Sequence, residues 1–241
     1  MIIHSAHNLH SLHSVHSAAA AVMPGFEMAK NLPAMTITLT LLGLLPFVAV
    51  MVTSFVKLVV VISLLRNALG TQQTPPNLVV NGLALILSFY IMAPVITDMV
   101  DIGGKQKVNY SDFASVSTAF EKTSAPLRTF MMKHSNKKER AFFVKSAKDI
   151  WPPEMAEKAK ETDLLILIPS FTVSELTSAF IIGFFIYLPF IVIDLVVSNV
   201  LLALGMMMVS PMTISTPIKL LLFVVINGWA RLIHSLVLTY S

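Results

Sequence analysis

The sequence predicts an all-α protein built from long, broken hydrophobic helices arranged in hairpins, with a small helical polar insertion between them. Hydrophobic residues make up 55% of the 241-residue chain and charged residues only 12%, a balance outside that of most soluble proteins. Of the Asp, Glu, Lys and Arg residues, 22 of 30 lie between Asp98 and Asp163. The flanking stretches are long and almost uncharged, so we expect the chain to lie in or against a membrane.

Four hydrophobic segments surround the polar insertion. The first, residues 31–56, is uncharged; at 1.5 Å per residue it would reach about 39 Å, more than the roughly 30 Å of a hydrocarbon core. The second, residues 77–97, is also uncharged and long enough to span. The third, residues 164–209, is too long for one simple span, so we expect a long or broken helix. The fourth, residues 214–240, contains Arg231 among its few charges.

The N-terminal stretch differs from these segments because histidines recur at every third residue among serines, at His4, His7, His10, His13 and His16. We expect a flexible leader. A cleaved signal peptide would require a basic region before an apolar core, yet no Lys or Arg precedes Lys30. Metal binding by the histidines would require a helix and an organised second shell. The predicted domains are a leader (1–30), a first hydrophobic hairpin (31–97), an extracytoplasmic helical insertion (98–163) and a second hydrophobic hairpin (164–241).

The stretch RNALGTQQTPPN, residues 66–77, separates the first two helices and predicts a tight turn. Gly70 suits a helix C-terminus, and two prolines suit the first turn of the next helix. The amides of this stretch need solvent or a neighbouring subunit to bond with. The turn is therefore either purely structural or also an assembly contact, formed by Gln72, Gln73, Pro75, Pro76 and Asn77.

The polar insertion contains 12 basic and 10 acidic residues. Phe120, Leu127 and Phe130 follow helical spacing, which predicts short amphipathic helices. Its basic cluster is either a solvated face or a contact for a partner or lipid; it comprises Lys133, Lys137, Lys138 and Arg140. The basic residues beside the first turn favour a cytoplasmic position for that turn, which would leave the insertion outside.

Catalytic signatures are absent from the sequence. No glycine-rich phosphate loop, HExxH or GxSxG motif occurs, and the chain has no cysteine, so thiolate metal sites and cysteine nucleophiles are excluded. His134 and His234 lack recognisable triad partners. We therefore expect no enzyme, no cofactor and no metal site, and the scattered basic residues predict no nucleic-acid surface.

Ionisable residues inside the apolar segments are expensive in hydrocarbon and should face protein or water. We expect Lys57, Arg66, Glu175, Asp194 and Lys219 to serve assembly through pairing, with ion or proton conduction as the alternative. A hairpin at residues 205–211 would give Asp194 and Lys219 only partial overlap. It could not bring Glu175 beside Lys219 within one chain, although a second subunit could.

The stretch GMMMVSP, residues 205–211, places three methionines between a glycine and a proline. Gly205 and Pro211 interrupt the helix, so the side chains of Met206, Met207 and Met208 should project in different directions from a turn. Methionine is flexible and polarizable and fills irregular spaces. These residues are either core or membrane-interface filler or, if the chain is repeated around an axis, a deformable apolar collar.

Two long blocks, residues 55–95 (FVKLVVVISLLRNALGTQQTPPNLVVNGLALILSFYIMAPV) and 169–211 (PSFTVSELTSAFIIGFFIYLPFIVIDLVVSNVLLALGMMMVSP), with PIKLLLFVVINGW at 217–229, resemble the FliP/SctR family. These are export-apparatus proteins of flagellar and virulence-associated type III secretion systems. The resemblance covers everything except the leader and much of the polar insertion. The His- and Ser-rich leader departs from flagellar members, which favours a virulence-type injectisome.

The resemblance implies a core subunit of the export gate, which forms the channel through which unfolded substrates cross the bacterial inner membrane. It implies a ring of identical subunits, raised in part toward the periplasm, with the methionine-rich loop as a gasket. Implied partners are two smaller export-apparatus membrane subunits, the larger export-gate and switch components, and exported unfolded polypeptides. A membrane transporter or ion-conducting subunit, and a scaffold without a pore role, are the alternatives.

Overall fold

The structure is a computed structural model that describes residues 39–40, 43–44, 46–71, 74–106 and 113–241. The predicted leader and two residues of the first turn, Gln72 and Gln73, lie outside the described residues. The chain divides into two units, residues 1–48 and 49–241. The second unit contains almost all of the described residues.

Every regular element in the described ranges is a helix, which confirms the predicted all-α class. In chain order the helices are α1 (Pro46–Val52), α2 (Phe55–Ala68), α3 (Asn77–Gly104), α4 (Phe113–Thr123), α5 (Ala125–His134), α6 (Lys137–Ile150), α7 (Pro153–Ala156), α8 (Leu164–Ala203), α9 (Pro211–Val225) and α10 (Gly228–Leu238).

Helix α8 is the element on which the others assemble. Its 40 residues correspond to about 60 Å at 1.5 Å per residue, and it continues through both Pro169 and Pro189. Helices α2, α5, α6 and α9 all pack against it. Close approach of α2 depends on Gly183, because a Cβ atom there would lie 2.3 Å from Leu64 Cδ1. The sequence predicted either a long helix or a broken one for this segment, and the structure has one continuous helix.

The turn between α2 and α3 ends α2 as the sequence predicts. Gly70 adopts a positive φ of 78°, a conformation that costs glycine little. Thr71 N–H donates to Arg66 O at 3.3 Å and Gly70 N–H to Asn67 O at 3.0 Å, the paired bonds of a Schellman motif. Helix α3 begins only at Asn77, so the two prolines precede that helix and do not fill its first turn.

The polar insertion is a set of short helices, α4 to α7, as the spacing of its aromatic residues predicts. Helix α6 begins at the N-cap residue Asn136, whose side chain accepts a bond from Lys138 N–H at 2.9 Å, and it ends before Trp151. Phe130 and Met131 of α5 are buried against Phe171 of α8. The insertion is therefore packed onto α8 through a shared apolar core.

Two described helices, α3 and α8, are long and apolar enough to cross a membrane. The pairs α1–α2 and α9–α10 are bent by 77° and 63°, and counting each pair as one span raises the number to four. The first bend lies at Thr53 and Ser54, so α2 continues beyond the predicted first segment. Only 11% of the most apolar stretch of α8 is buried within the chain. Most of its apolar surface therefore needs lipid or other subunits to cover it.

Candidate functional site

A buried ion pair joins α2 to α8. Lys57 Nζ lies 3.1 Å from Glu175 Oε1, and both side chains are at most 5% exposed. Neither residue could remain charged alone in such surroundings without a large desolvation cost. The structure thus gives Glu175 a partner within its own chain, 118 positions earlier. From the sequence, the partner weighed for Glu175 was Lys219, supplied by a second subunit.

Tyr240, which was not predicted as a site residue, adds a third side chain to this ion pair. The hydroxyl of Tyr240 donates to Glu175 Oε2, and Lys57 Nζ lies 3.8 Å from the centroid of the Tyr240 ring. Tyr240 in turn stacks on Phe130 with ring centroids 5.9 Å apart, and His134 lies 5.0 Å from Tyr240. The sequence does show a tyrosine at the end of the fourth apolar segment, and a buried tyrosine hydroxyl needs a hydrogen-bond partner. Spacing along the chain, however, cannot place Tyr240 beside Glu175.

His134 lies outside the apolar helices, at the end of α5. Partial burial lowers the pKa of its imidazole from 6.5 to about 4, and the positive charges of Lys57 and Lys133 act on that pKa in the same direction. The ring is therefore neutral at physiological pH and acts as an aromatic packing group between Phe130 and Tyr240.

A second ion pair joins α8 to α9. Lys219 Nζ lies 2.6 Å from Asp194 Oδ2; the lysine side chain is 5% exposed and the aspartate side chain 39%. Lys219 also donates to Ala68 O at 3.2 Å, one of the carbonyls that the end of α2 leaves without a helical donor. The partial overlap expected for Asp194 and Lys219 is sufficient for direct contact, and Lys219 links three helices.

Arg66 fastens the first turn to the start of α3. Its Nη1 donates to Asn77 Oδ1 at 2.5 Å and to Pro75 O at 3.2 Å. The opposite side of this turn meets α9, because a Cβ atom at Gly70 would lie 3.0 Å from Thr216 Oγ1. The first turn and the beginning of α9 thus lie at the same end of the unit. Pro76 and Asn77 are exposed there.

The methionine loop connects α8 to α9 at that same end. Gly205 has a φ of 73°, and Met206 N–H donates to Leu201 O at 3.0 Å, so α8 also ends in a Schellman motif. Helix α9 begins at Pro211. Met207 is 81% exposed and Met208 is fully exposed. In this chain these two side chains are therefore surface residues and not core filler.

Arg140 organises the polar insertion. Its Nη1 donates to Ser135 O at 2.6 Å, to Ser135 Oγ at 2.8 Å and to Met132 O at 3.2 Å, and its Nε donates to Glu161 Oε2 at 3.1 Å. The sequence grouped Arg140 with Lys133, Lys137 and Lys138, which are exposed. Burial separates Arg140 from that cluster, because its guanidinium bonds the carbonyls at the end of α5.

The described residues contain no group of three or more His, Asp or Glu side chains that could hold a metal ion. The buried charges are arranged in pairs, each with additional hydrogen bonds. Each of the Lys57–Glu175 and Lys219–Asp194 pairs joins two different helices. Arg231, the remaining charged residue of the predicted apolar segments, is exposed on α10 and makes no side-chain hydrogen bond within the part of the chain that the structure describes.

Comparison with known proteins extends this picture. A family model described as the FliP family matches residues 38–236. The chain is 57% identical over 205 residues to the Yop proteins translocation protein R of Yersinia pestis, an alignment that covers 85% of this chain and 94% of that protein. It is 51% identical over 203 residues to the virulence protein YscR of Salmonella typhimurium, covering 84% and 94%. It is 50% identical over 202 residues to the hypersensitivity response secretion protein HrcR of Ralstonia nicotianae, covering 83% and 93%.

Proposed function

We propose that this chain, which belongs to the FliP family, is a core subunit of the type III protein secretion export gate. The family and its relatives make the chain a component of a type III secretion apparatus. The FliP family is not a known enzyme family. The relatives are translocation, virulence and hypersensitivity-response proteins, which supports a virulence-type system. An inner-membrane location fits the two long apolar helices.

In the proposed assembly, copies of this chain and sister subunits form a ring through which unfolded polypeptides pass. The observation that carries this proposal is the loop of three methionines at the end of α8. Its backbone is fixed on one side by a Schellman motif and on the other by Pro211, yet Met207 and Met208 contact almost nothing in their own chain. Exposed apolar side chains on a rigid turn indicate a contact outside the chain.

Repetition around an axis would bring these methionines together as a collar. Each thioether side chain has three rotatable bonds, so the collar could close on itself against ions and small solutes. It could then deform around an unfolded chain without requiring particular hydrogen bonds. Met206, Met207 and Met208 are thus proposed to line the closed constriction.

Triple replacement of these methionines by alanine tests the gasket. We expect the assembled complex to form in normal amounts but to admit small solutes, because alanine is too short to fill the gap. Deletion of the three residues should increase the leak and reduce export. The measurement is ion conductance or dye entry at equal expression, and Met212→Ala, in the first turn of α9, is the matched control. If the triple-alanine complex admits no more ions or dye than the parent complex, the gasket proposal is wrong and these methionines serve only in packing.

The first turn is proposed as a subunit or partner contact. It lies at the same end as the methionine loop, and Pro76 and Asn77 are exposed there beside the half-buried Pro75. Gln72 and Gln73 belong to the same stretch of sequence and add amide groups to it. Photo-crosslinking residues at Gln72 and Asn77 should capture protein in assembled complexes. Capture of lipid alone would rule out this contact, and a crosslinker at the exposed Lys145 of α6 provides the comparison.

The buried charges are proposed to serve assembly and not conduction. Both lysines find their carboxylate within one chain, so each pair links two helices of the subunit before it meets its neighbours, although Asp194 Oδ1 is buried without a hydrogen-bond partner. Loss of one partner should therefore lower the yield of assembled complex before it changes pore properties. Normal assembly with a selective loss of ion coupling would instead favour the ion-conducting alternative.

A further inference from the structure

The bend between α9 and α10 creates an apolar cavity that neither the ion pairs nor the methionine loop uses. Asn227 takes the left-handed conformation with φ 54°, which asparagine tolerates better than most residues. Gly228 follows it, and a Cβ atom there would lie 2.2 Å from Phe223 Cε2. These two residues let α10 turn back by 63° and leave a space of about 310 Å³ between α2, α8, α9 and α10.

The cavity has an apolar wall and a polar rim. The wall includes Leu65 of α2, Ile186 and Phe190 of α8, and Phe223 of α9. The rim is formed by Arg231 and Ser235 of α10, which are four positions apart and so share one helix face. The volume is at the lower end of the range for ligand sites, and an apolar lining with a few convergent polar groups is their usual composition.

Arg231 is the distinguishing feature of this rim. Lys57 and Lys219 each have a carboxylate partner, and Arg66 bonds a carbonyl and an amide. Within the described residues, the Arg231 side chain has no such partner. An unpaired guanidinium in an apolar segment favours an anion, since arginine binds phosphate through two parallel hydrogen bonds.

We propose that this cavity binds an anionic phospholipid, with an acyl chain against the apolar wall and the phosphate on Arg231 and Ser235. Helix α9, which contributes Phe223 to the wall, also carries exposed apolar residues, including Leu221, Val224 and Val225, so the helix beside the cavity suits an apolar medium. Basic pockets between membrane helices bind anionic headgroups in this manner.

A second copy of the chain is a poorer occupant on grounds of charge. Outside the polar insertion the chain has only three acidic residues, Glu27, Glu175 and Asp194. Glu175 and Asp194 are already paired with lysines. The carboxylates of Asp98 and Asp101 lie in the last two turns of α3, where that helix enters the polar insertion. Within its uncharged stretches a neighbouring copy therefore has no further carboxylate to offer Arg231, whereas an anionic lipid supplies both the charge and the hydrocarbon.

Photoactivatable lipids test the site in the full-length chain purified in detergent with its complex. Phosphatidylglycerol and phosphatidylcholine bearing the same diazirine-labelled acyl chain are compared, and adducts are mapped by mass spectrometry. We expect adducts on the cavity segments of α8 and α10, with phosphatidylglycerol favoured about fivefold, the ratio that one basic residue near a membrane surface provides. Equal labelling by the two lipids would overturn the proposal, and so would the absence of adducts on these segments, the result expected if another copy fills the cavity.

Substitutions separate the rim from general charge effects. Arg231→Gln should reduce the preference for phosphatidylglycerol to near unity, while Arg231→Lys, which keeps the charge but not the two parallel hydrogen bonds, should retain part of it. Lys145→Gln, which removes an exposed cation from α6, should leave the preference unchanged. An unchanged preference in Arg231→Gln would contradict the proposal. If that variant fails to assemble, the adduct positions and lipid ratio of the unaltered complex decide the question.

Discussion

The Tyr240 hydroxyl donates a hydrogen bond to Glu175 Oε2 across 65 positions of sequence. The other oxygen of the same carboxylate pairs with Lys57, so each oxygen has its own donor. This arrangement ties the segment that follows α10 to the first third of α8 and to the start of α2. A charge that is this well satisfied can remain buried, and it links three separate segments of the sequence.

Glu175→Leu should destabilise the chain by about 3–5 kcal/mol, because Lys57 would remain buried without its partner. The double variant Lys57→Met with Glu175→Leu should recover most of this loss, since apolar residues of similar size can replace a buried pair at little cost. Thermal unfolding in detergent and the yield of assembled complex measure both effects. A double variant as unstable as the single one would show that the pair has a role beyond mutual compensation.

Asp194→Ala should be more damaging than Lys219→Met, although both break the same ion pair. Without Asp194, the ammonium of Lys219 remains buried with only Ala68 O as an acceptor, at a cost of about 3 kcal/mol. Without Lys219, the carboxylate of Asp194 can hydrate, since its side chain is 39% exposed, and the loss should be about 1–2 kcal/mol. Equal losses in unfolding experiments, or the opposite order, would contradict this prediction.

Arg140→Met should loosen the polar insertion by about 2–4 kcal/mol, because Met132 O and Ser135 O both lose a donor. Arg140→Lys should not rescue it, since an ammonium cannot reproduce the planar fork. Hydrogen exchange in α5 and α6 of the full-length chain measures the change. Glu161→Gln should cost less than about 1 kcal/mol, because the Glu161 side chain is 47% exposed. Unaltered protection in Arg140→Met would show that these bonds are dispensable.

Stability should fall as pH decreases from about 6.5 toward 4, and His134 should contribute to that fall. Its folded-state pKa of about 4 lies below the unfolded value near 6.5, so the unfolded chain takes up a proton first. The contribution is fully present above pH 6.5 and is lost progressively in this window. His134→Gln should narrow the difference in melting temperature between pH 7.5 and pH 5. An unchanged difference would assign the acid sensitivity to other groups.

The sequence predicted helices well because the signals for them are local. The Schellman end of α2 follows from Gly70, and Leu127 and Phe130 share α5 as their spacing predicts, although Phe120 lies on the separate helix α4. The bend at Ser54 was not predicted, because residues 51–56 contain no charge, glycine or proline to mark a break. The continuity of α8 through Pro189 was equally undecidable from sequence, since a proline can either break a helix or remove a single hydrogen bond.

The tertiary structure decided which charged side chains form pairs. The chain's own sequence determined that Lys57, Glu175, Asp194 and Lys219 need partners, because an isolated charge is costly in an apolar environment. Only the packing of α2 and α9 on α8 decided that Glu175 takes Lys57 and Asp194 takes Lys219, since those contacts join residues far apart in the chain. The same packing brought Tyr240 to the buried carboxylate and left Arg231 at the rim of a cavity, because side-chain neighbours across helices depend on helix angles and register that no local pattern encodes.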